Sequence, residues 1–469
     1  MTREEFRQAL IAQFPREITG GQQQLIGKLS DFVFSGSRHA LFVLKGYAGT
    51  GKTTAISALV KALPAARIKT VLLAPTGRAA KVLSAYAGRQ ALTIHKKIYK
   101  RSGREGAERF VLQKNQHTHT LFIVDEASMI SNAQADFSGS SLLDDLLQYV
   151  YSAENCRLIC VGDTAQLPPV GLAVSPALDE KYLARNYSLS IESAELTEVV
   201  RQSGDSGILY NATLVRALIQ KGLEVKPRFE LNGFSDIVRL SGAELEDALN
   251  DSHSKHGAEE SMVICRSNKR ANIYNQQIRS RIRWQESELS AGDYMMVVKN
   301  NYHWLPDESK AGFIANGDIV QIARIGKMQE RYGFRFADVR IRMIDYPDEP
   351  ELECKLLLDT IMSETPALSP EAGKRLYMEV SADYAHISGR QARLDAVKKD
   401  PFFNALQVKF AYAVTCHKAQ GGQWESVFVE QGYLTDAMIN TDFLRWLYTA
   451  LTRATKKLYL VNFSPEFFS

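Results

Sequence analysis

Long apolar runs are missing from this chain. Nowhere do about 18 consecutive apolar residues occur, which removes a membrane-spanning helix. The start, MTREEFRQALIAQF, carries acidic residues and lacks a long apolar core, so it does not read as a signal peptide. Cysteine is scarce and scattered, at Cys156, Cys160, Cys265, Cys354 and Cys416. No CxxC pair or Cys/His cluster has zinc spacing, which excludes a zinc module and predicts reduced thiols in a cytoplasmic protein, bacterial or phage-like. There is no internal repeat and no low-complexity linker. An excess of one charge sign is also missing. A net charge of +4 gives no argument for nucleic acid, although a local basic groove is compatible with it. What remains is 469 residues, 45% hydrophobic and 23% charged, a globular composition long enough for about three domains.

The informative stretch runs from Leu41 to Leu63. Leu41-Phe42-Val43-Leu44 is short enough for a buried strand, and Gly46-Tyr47-Ala48-Gly49-Thr50-Gly51-Lys52-Thr53 completes G-x-x-x-x-G-K-[ST]. Ile56, Leu59, Val60 and Leu63 then recur at helical spacing. Backbone amides around Gly46, Gly49 and Gly51 would close on phosphate oxygens, with Thr50 and Thr54 in the same cradle. Lys52 would reach the β- and γ-phosphates and Thr53 would hold Mg²⁺. The pattern predicts binding of a nucleoside triphosphate. Ahead of it, residues 3–14 read as an amphipathic helix and Gln23 to Phe34 as another. Gln22, between them, is favoured as the reader of an adenine edge over a polar N-cap residue.

Three more strands follow. Val71-Leu72-Leu73-Ala74 ends in Pro75-Thr76-Gly77-Arg78, where a helix N-terminus offers a place for phosphate. Thr93-Ile94-His95 precedes a polar stretch that reads as a small hairpin excursion between Ile98 and Thr118. Leu121-Phe122-Ile123-Val124 ends in Asp125-Glu126, roughly seventy residues after the phosphate loop, the spacing of a partner motif. Asp125 would hold Mg²⁺, and Glu126 would orient or deprotonate the attacking water. Leu158 to Val161 ends in Gly162-Asp163-Thr164-Ala165-Gln166, whose uncharged Gln166 can sense a γ-phosphate by hydrogen bonding.

A second α/β unit starts near Met262-Val263-Ile264-Cys265. The helix Asn268 to Arg283 and its lead-in carry six arginines and lysines from Arg266 onward, a run that is as readily a wet face as a functional one. From about Ala291 to Pro366 short β-runs surround the turn Asn316-Gly317-Asp318, the pattern of a small barrel. The second unit resumes with the run Leu406 to Val414. After Thr415-Cys416-His417-Lys418-Ala419-Gln420-Gly421-Gly422 come a strand, a helix from Phe443 to Leu451, and a closing strand from Lys457 to Val461. Arg201, at the expected junction, and Arg453, after the last helix, could each reach a γ-phosphate as arginine fingers.

The ordered set ITGGQ, GYAGTGKT, APTGRAAK, TIH, DEASM, GDTAQLPPVG, LTEVVRQ, TCHKAQG and YTALTRA resembles the superfamily 1 helicases, and within them the RecD-like and Dda-like branch. The resemblance spans Ile18 to Val461. It implies two RecA-like motor domains, with a hairpin inserted in the first and an SH3-like barrel in the second. The expected bounds are 1–196 for the first motor domain, with its hairpin near 98–118. The second takes 197–285 and 402–469, and the barrel 286–401. The family implies ATP and Mg²⁺ as cofactors, 5′ to 3′ translocation on single-stranded DNA, and duplex unwinding. Lys52, Thr53, Asp125, Glu126, Gln166, Arg201 and Arg453 keep the roles given above. Pro75, Thr76, His95, Thr415, His417 and Lys418 match motifs that touch DNA, mostly at phosphates and base faces. Phe110, with Leu112 next, is the candidate stacking tip of a strand-separating pin; either could equally be a packing residue. A minimal, monomeric helicase working at single-strand/duplex junctions is expected. Single-strand-binding, replication or repair proteins are compatible partners. A nucleotide-gated DNA clamp or remodeller and an RNA-directed helicase are the competing readings.

Overall fold

The computed structural model describes residues 1–15, 17–102, 109–134, 139–199, 206–306, 309 and 311–468. It is an α/β structure of two parallel sheets and a closed five-stranded barrel. Strands β1 (Ala40–Gly46), β2 (Lys69–Ala74) and β3 (Ala91–Thr93) come first in the chain. A hairpin follows, β4 (Tyr99–Ser102) with β5 (Arg109–Leu112), and then β6 (Thr120–Val124), β7 (Arg157–Gly162) and β8 (Ser190–Leu196). The first sheet has the order β3-β2-β6-β7-β1-β8, every pair parallel. Parallel strands covered on both faces must be apolar almost throughout, and Leu41 to Leu44 are fully buried, as are Phe122 to Val124. β3 and β8 lie at the sheet's edges; neither was evident as a strand, because one is three residues long and the other alternates with charge.

The second sheet uses β9 (Ile237–Leu240) and β10 (Ser261–Cys265). Between these and the rest of that sheet the chain builds β11 (Tyr294–Val297), β12 (Ile319–Arg331), β13 (Phe334–Met343), β14 (Leu352–Leu357) and β15 (Leu406–Phe410). It then returns through β16 (Ala413–Thr415), β17 (Trp424–Glu430) and β18 (Ala454–Val461). The order is β16-β10-β17-β18-β9, again parallel. The expected closing strand is therefore interior, and β9 lies outside it.

One expectation changes materially. The apolar run Leu406 to Val414, expected to lie wholly in the second α/β unit, is two strands in two different sheets. β15 closes the barrel against β11 and β14, and only β16 joins the motor sheet. The reason is a break in pairing at Ala411-Tyr412. Asn275 accepts from both Tyr412 and Ala413 amides at 3.0 and 2.7 Å and donates to the Phe410 and Ala413 carbonyls, so the backbone turns there around a buried amide.

The run of basic residues from Arg266 to Arg283 is not a uniform wet face. Arg279 is buried in a bidentate pair with Asp293, Arg270 reaches the buried Glu430 at 2.7 Å, and Arg283 lies over the Tyr412 ring. Lys269 and Arg281 are the solvated members. No helix among the described residues is long and apolar enough to cross a membrane.

A hydrophobic cluster joins the two parallel sheets. It combines Tyr47, Ala165 and Leu167 of the first with Ile208, Ala212, Trp446, Leu447 and Tyr448 of the second.

Candidate functional site: an interdomain nucleotide cleft

β1 ends in the phosphate loop, and the helix Lys52–Ala62 begins directly after it. Gly49 and Gly51 have φ of +77° and +87°, a region that side-chain-bearing residues rarely enter. At Gly49 a Cβ would also stand 2.7 Å from Leu209, so the loop needs glycine there twice over. Thr50 is fully buried and ties the loop by donating to the Tyr47 carbonyl at 2.8 Å. The Lys52 ammonium donates to the Gly46 and Tyr47 carbonyls at 2.6 and 2.9 Å, which holds it over the loop.

The loop opens into a cleft of about 530 Å³. Gly49, Gly51, Lys52, Thr53, Thr54, Asp125, Glu126, Asp163 and Gln166 line one side, and Gln423, Arg453 and Thr455 the other. Asp125 is oriented at both oxygens: one accepts from the Glu126 amide at 2.8 Å and the other from the Tyr86 hydroxyl. Tyr86 was not singled out from the sequence, since nothing in a helix end signals a partner 39 residues away. Burial, then the Asp125 charge, pushes its phenol up, so it stays a donor.

Glu126 has φ of +53°, an uncommon conformation for a side-chain-bearing residue and one that clusters at functional sites. Burial raises its carboxyl above the ordinary range, Arg453 opposes that shift, and Asp125 adds to it. Gln166 is buried, and its Oε1 has no hydrogen-bond partner among the described residues, so an acceptor remains free beside the cleft. Arg453 is buried too. It donates to the Thr449 carbonyl at 3.0 Å, the Gly422 carbonyl at 3.2 Å and the Thr452 hydroxyl at 3.1 Å. Arg201, the other expected finger, lies outside the described residues.

The oxygen donors fit a hard cation. The Thr53 hydroxyl and Asp125 carboxylate share the cleft, and oxygen ligands of this type suit Mg²⁺.

Gln22 lies in the first turn of the helix Gly20–Phe34 and lines the same cleft, alongside Phe14 and Glu17. Its Oε1 accepts from the Thr19 amide at 3.2 Å while the Thr19 hydroxyl accepts from the Gln22 amide, a capping box. The N-cap role weighed as the lesser alternative is thus present, and it occupies the amide oxygen.

The residues expected at DNA gather on a different set of contacts. Thr76 caps the helix Gly77–Ala87 through its hydroxyl, and Gly421 of the second domain packs so close that a Cβ would stand 3.1 Å from it. Pro75 is half-buried at the end of β2. His95 packs beside Tyr99 and Phe313, and burial lowers its imidazole to about 4, so the ring is neutral. Thr415 precedes the short helix Cys416–Ala419, which carries an exposed His417. Lys418 donates to Asn316 of the barrel, and burial lowers it to about 8. Lys81 faces Asp345 at 3.6 Å, and Lys96 reaches the Ser309 carbonyl, so first domain, second domain and barrel meet here.

Phe110 does not sit at the hairpin's turn. It pairs with Arg101 inside β5; its side chain and residues 103–108 lie outside the described residues. Leu112, opposite Tyr99 at the hairpin's root, packs on the first domain's core, which makes it a packing residue.

Sequence reading passed over the clasp between the domains. Tyr448 and Thr449 sit in the YTALTRA stretch but carried no assignment; both bond to the first domain. Arg78 stacks on Trp424 at 4.2 Å and donates to the Gln423 carbonyl at 2.9 Å.

Comparison with known proteins adds two matched families. Residues 19–220 match an AAA domain and residues 410–461 a UvrD-like helicase C-terminal domain. The chain is 25% identical over 429 residues to the ATP-dependent RecD2 DNA helicase of Deinococcus radiodurans, covering 90% of this chain and 47% of that one. It therefore spans about half that relative's length. An uncharacterized protein of Acanthamoeba polyphaga mimivirus is 23% identical, covering 93% of this chain and 98% of its own. The solved structure of Pif1 helicase from Bacteroides in complex with ADP-AlF3 and ssDNA is 15% identical. That match covers 97% of this chain and 95% of the other, with a TM-score of 0.46.

Proposed function

We propose that this chain, whose matched domains and relatives support a superfamily 1 helicase of the RecD/Pif1-like kind, is an ATP-dependent DNA helicase. It hydrolyses ATP in the cleft between two RecA-like domains, moves 5′ to 3′ along single-stranded DNA, and opens duplex. One observation carries the reading. A phosphate loop, an Asp-Glu pair and a free glutamine acceptor on one wall oppose a buried arginine on the other, in a single cleft.

In this reading Lys52 holds the β- and γ-phosphates, and the amides around Gly46, Gly49 and Gly51 with Thr50 and Thr54 cradle them. Thr53 and Asp125 hold Mg²⁺, which when bound neutralises charge on the phosphate oxygens. Glu126 takes the proton of the attacking water, a task its raised carboxyl suits. Gln166 accepts from the water or senses the γ-phosphate, and Arg453 and Arg201 stabilise the charge developing on it. Gln22 contributes its NH₂ end to the base.

Single-stranded DNA runs across Pro75, Thr76, His95, Thr415, His417 and Lys418. Neutral His95 then serves as a flat contact for a base face rather than a phosphate cation. Phosphate contacts dominate, so little sequence preference is expected.

The test is unwinding of two partial duplexes of equal length, one with a 5′ tail and one with a 3′ tail, in ATP and Mg²⁺. Opening of the 5′-tailed substrate alone is the expected result. Opening of the 3′-tailed one alone would overturn the polarity. DNA-stimulated hydrolysis without opening of either would replace the helicase by a clamp, and stimulation by RNA only would change the substrate.

A further inference from the structure

The helix Thr441–Leu451 of the second domain ends against the first domain's phosphate loop. Tyr448, in its last turn, is almost fully buried, and its hydroxyl makes two bonds across the cleft. It accepts from the Ala48 amide of the phosphate loop at 2.8 Å and donates to Asp163 Oδ2 at 2.7 Å. The other Asp163 oxygen accepts from the Ala165 amide at 2.9 Å, which shapes the turn that presents Gln166. The neighbouring Thr449 accepts from the Leu167 amide at 2.8 Å, and Gln420 donates to the Leu167 carbonyl at 2.5 Å. Thus the loop carrying Gln166 is held from both sides by the second domain.

The same helix end sets Arg453. The guanidinium donates to the Thr449 carbonyl and the Thr452 hydroxyl, so its position follows the last turn of the helix. A phenol pinned to both the phosphate loop and Asp163 fixes the height of that turn over the cleft. Moving the helix by an ångström would break two bonds and shift Arg453 with it. Hydrogen bonds to a carboxylate are directional and about twice as strong as neutral ones, which makes the contact a register and not mere packing.

We infer that Tyr448 is a positioning residue for ATP hydrolysis: its hydroxyl registers Arg453 and the Gln166 loop against the phosphate loop when the two domains close. The inference rests on the ATPase reading above and names how that site is governed. Tyr448 is not among the residues that line the cleft; it acts through Arg453 and Gln166. Domain closure and arrangement of the hydrolytic groups then become one event, because the bond that marks closure is the bond that sets the arginine.

Tyr448→Phe removes the hydroxyl and keeps the ring; it leaves the buried Asp163 Oδ2 and the Ala48 amide unpaired, so the thermal unfolding midpoint should fall by a few degrees while the chain stays folded at the assay temperature. ATP hydrolysis is followed with saturating oligo-dT across a range of ATP concentrations. The expected result is a kcat about tenfold lower with KM for ATP within about twofold, the pattern of lost transition-state stabilisation with ground-state binding retained. A structural defect would not give the second readout. Adding Tyr448→Phe to Arg453→Ala should slow the enzyme by much less than the single Tyr448→Phe change does, because part of the phenol's effect runs through that arginine and only the part through the Gln166 loop remains. An unchanged kcat, or losses that multiply in the double variant, would overturn the inference. A parent chain with no ATP hydrolysis would overturn the function reading itself, and the coupling with it.

Discussion

Asp318 should make the barrel's contact with the first domain sensitive to pH. It is only 2% exposed; one carboxyl oxygen accepts from the Ala315 amide at 2.7 Å, and the other has no hydrogen-bond partner among the described residues. That free oxygen lies against Gly77, where a Cβ would stand 2.7 Å away. Burial pushes the carboxyl from 3.8 up to about 8, and Asp345 nearby adds to the shift. A carboxyl whose folded pKa is raised supports the fold fully below its unfolded pKa and loses that support as pH climbs through the folded value. At about 1.4 kcal/mol per unit, the span from the unfolded pKa to neutrality sets a ceiling of about 4 kcal/mol lost by pH 7. About 3 kcal/mol of this falls between pH 5 and 7, and little more is lost above pH 8 or so. Asp318→Asn removes the titration while keeping an acceptor for the Ala315 amide. Thermal unfolding at about pH 5, 7 and 9 should show the parent's midpoint falling by several degrees more than the variant's between the first two. Parallel curves for the two proteins would refute the reasoning.

Other expectations concern the cleft and the proposed DNA face. Lys52→Ala should abolish ATP hydrolysis and unwinding while leaving DNA binding measurable by anisotropy; retained unwinding would remove Lys52 from the phosphate site. Glu126→Gln should lower kcat by about a hundredfold or more with nucleotide binding intact, checked by single-turnover hydrolysis and by titration with a fluorescent nucleotide. Parent DNA affinity should fall steeply with NaCl, and Lys418→Met should reduce the slope of log K against log[salt] by about one. Because burial lowers Lys418 to about 8, its charge is lost as pH rises through that value; the parent should bind DNA more weakly at pH 9 than at pH 7, the Met variant less so.

How much of this could be read from the chain follows from how local each feature is. The phosphate loop, Asp125-Glu126 and Gln166 each sit at the end of an apolar run, and strand ends are where a parallel sheet delivers chemistry. Their gathering in one cleft follows from the sheet order, in which β6, β7 and β1 lie side by side. Tyr448 could not be read in the same way: its partner Ala48 is 400 residues distant, and a tyrosine in an amphipathic helix looks like core until the facing loop is known. The split of Leu406–Val414 was hidden because a barrel strand and a buried motor strand draw on the same apolar residues. Gln22's cap was foreseeable from Thr19 three residues before it, and two uses of one amide were hard to rank without coordinates. The hairpin's turn and Arg201 lie outside the described residues, so sequence remains their only witness.

The barrel's last strand has a mechanical consequence. β15 ends at Phe410 and β16 begins at Ala413, so two residues, Ala411 and Tyr412, join the barrel wall to the motor sheet. Tyr412 is buried and bonded to Asp293 and Asn275, so the joint has no slack to take up. β16 leads straight into Thr415-Cys416-His417-Lys418. A tug on the barrel, from a strand of DNA or a bound protein, is therefore transmitted as a load along β16 to those residues. The barrel is thus fixed to the second parallel sheet with the stiffness of a lever arm, and slicing it out between its apparent ends would remove the fulcrum as well as the arm.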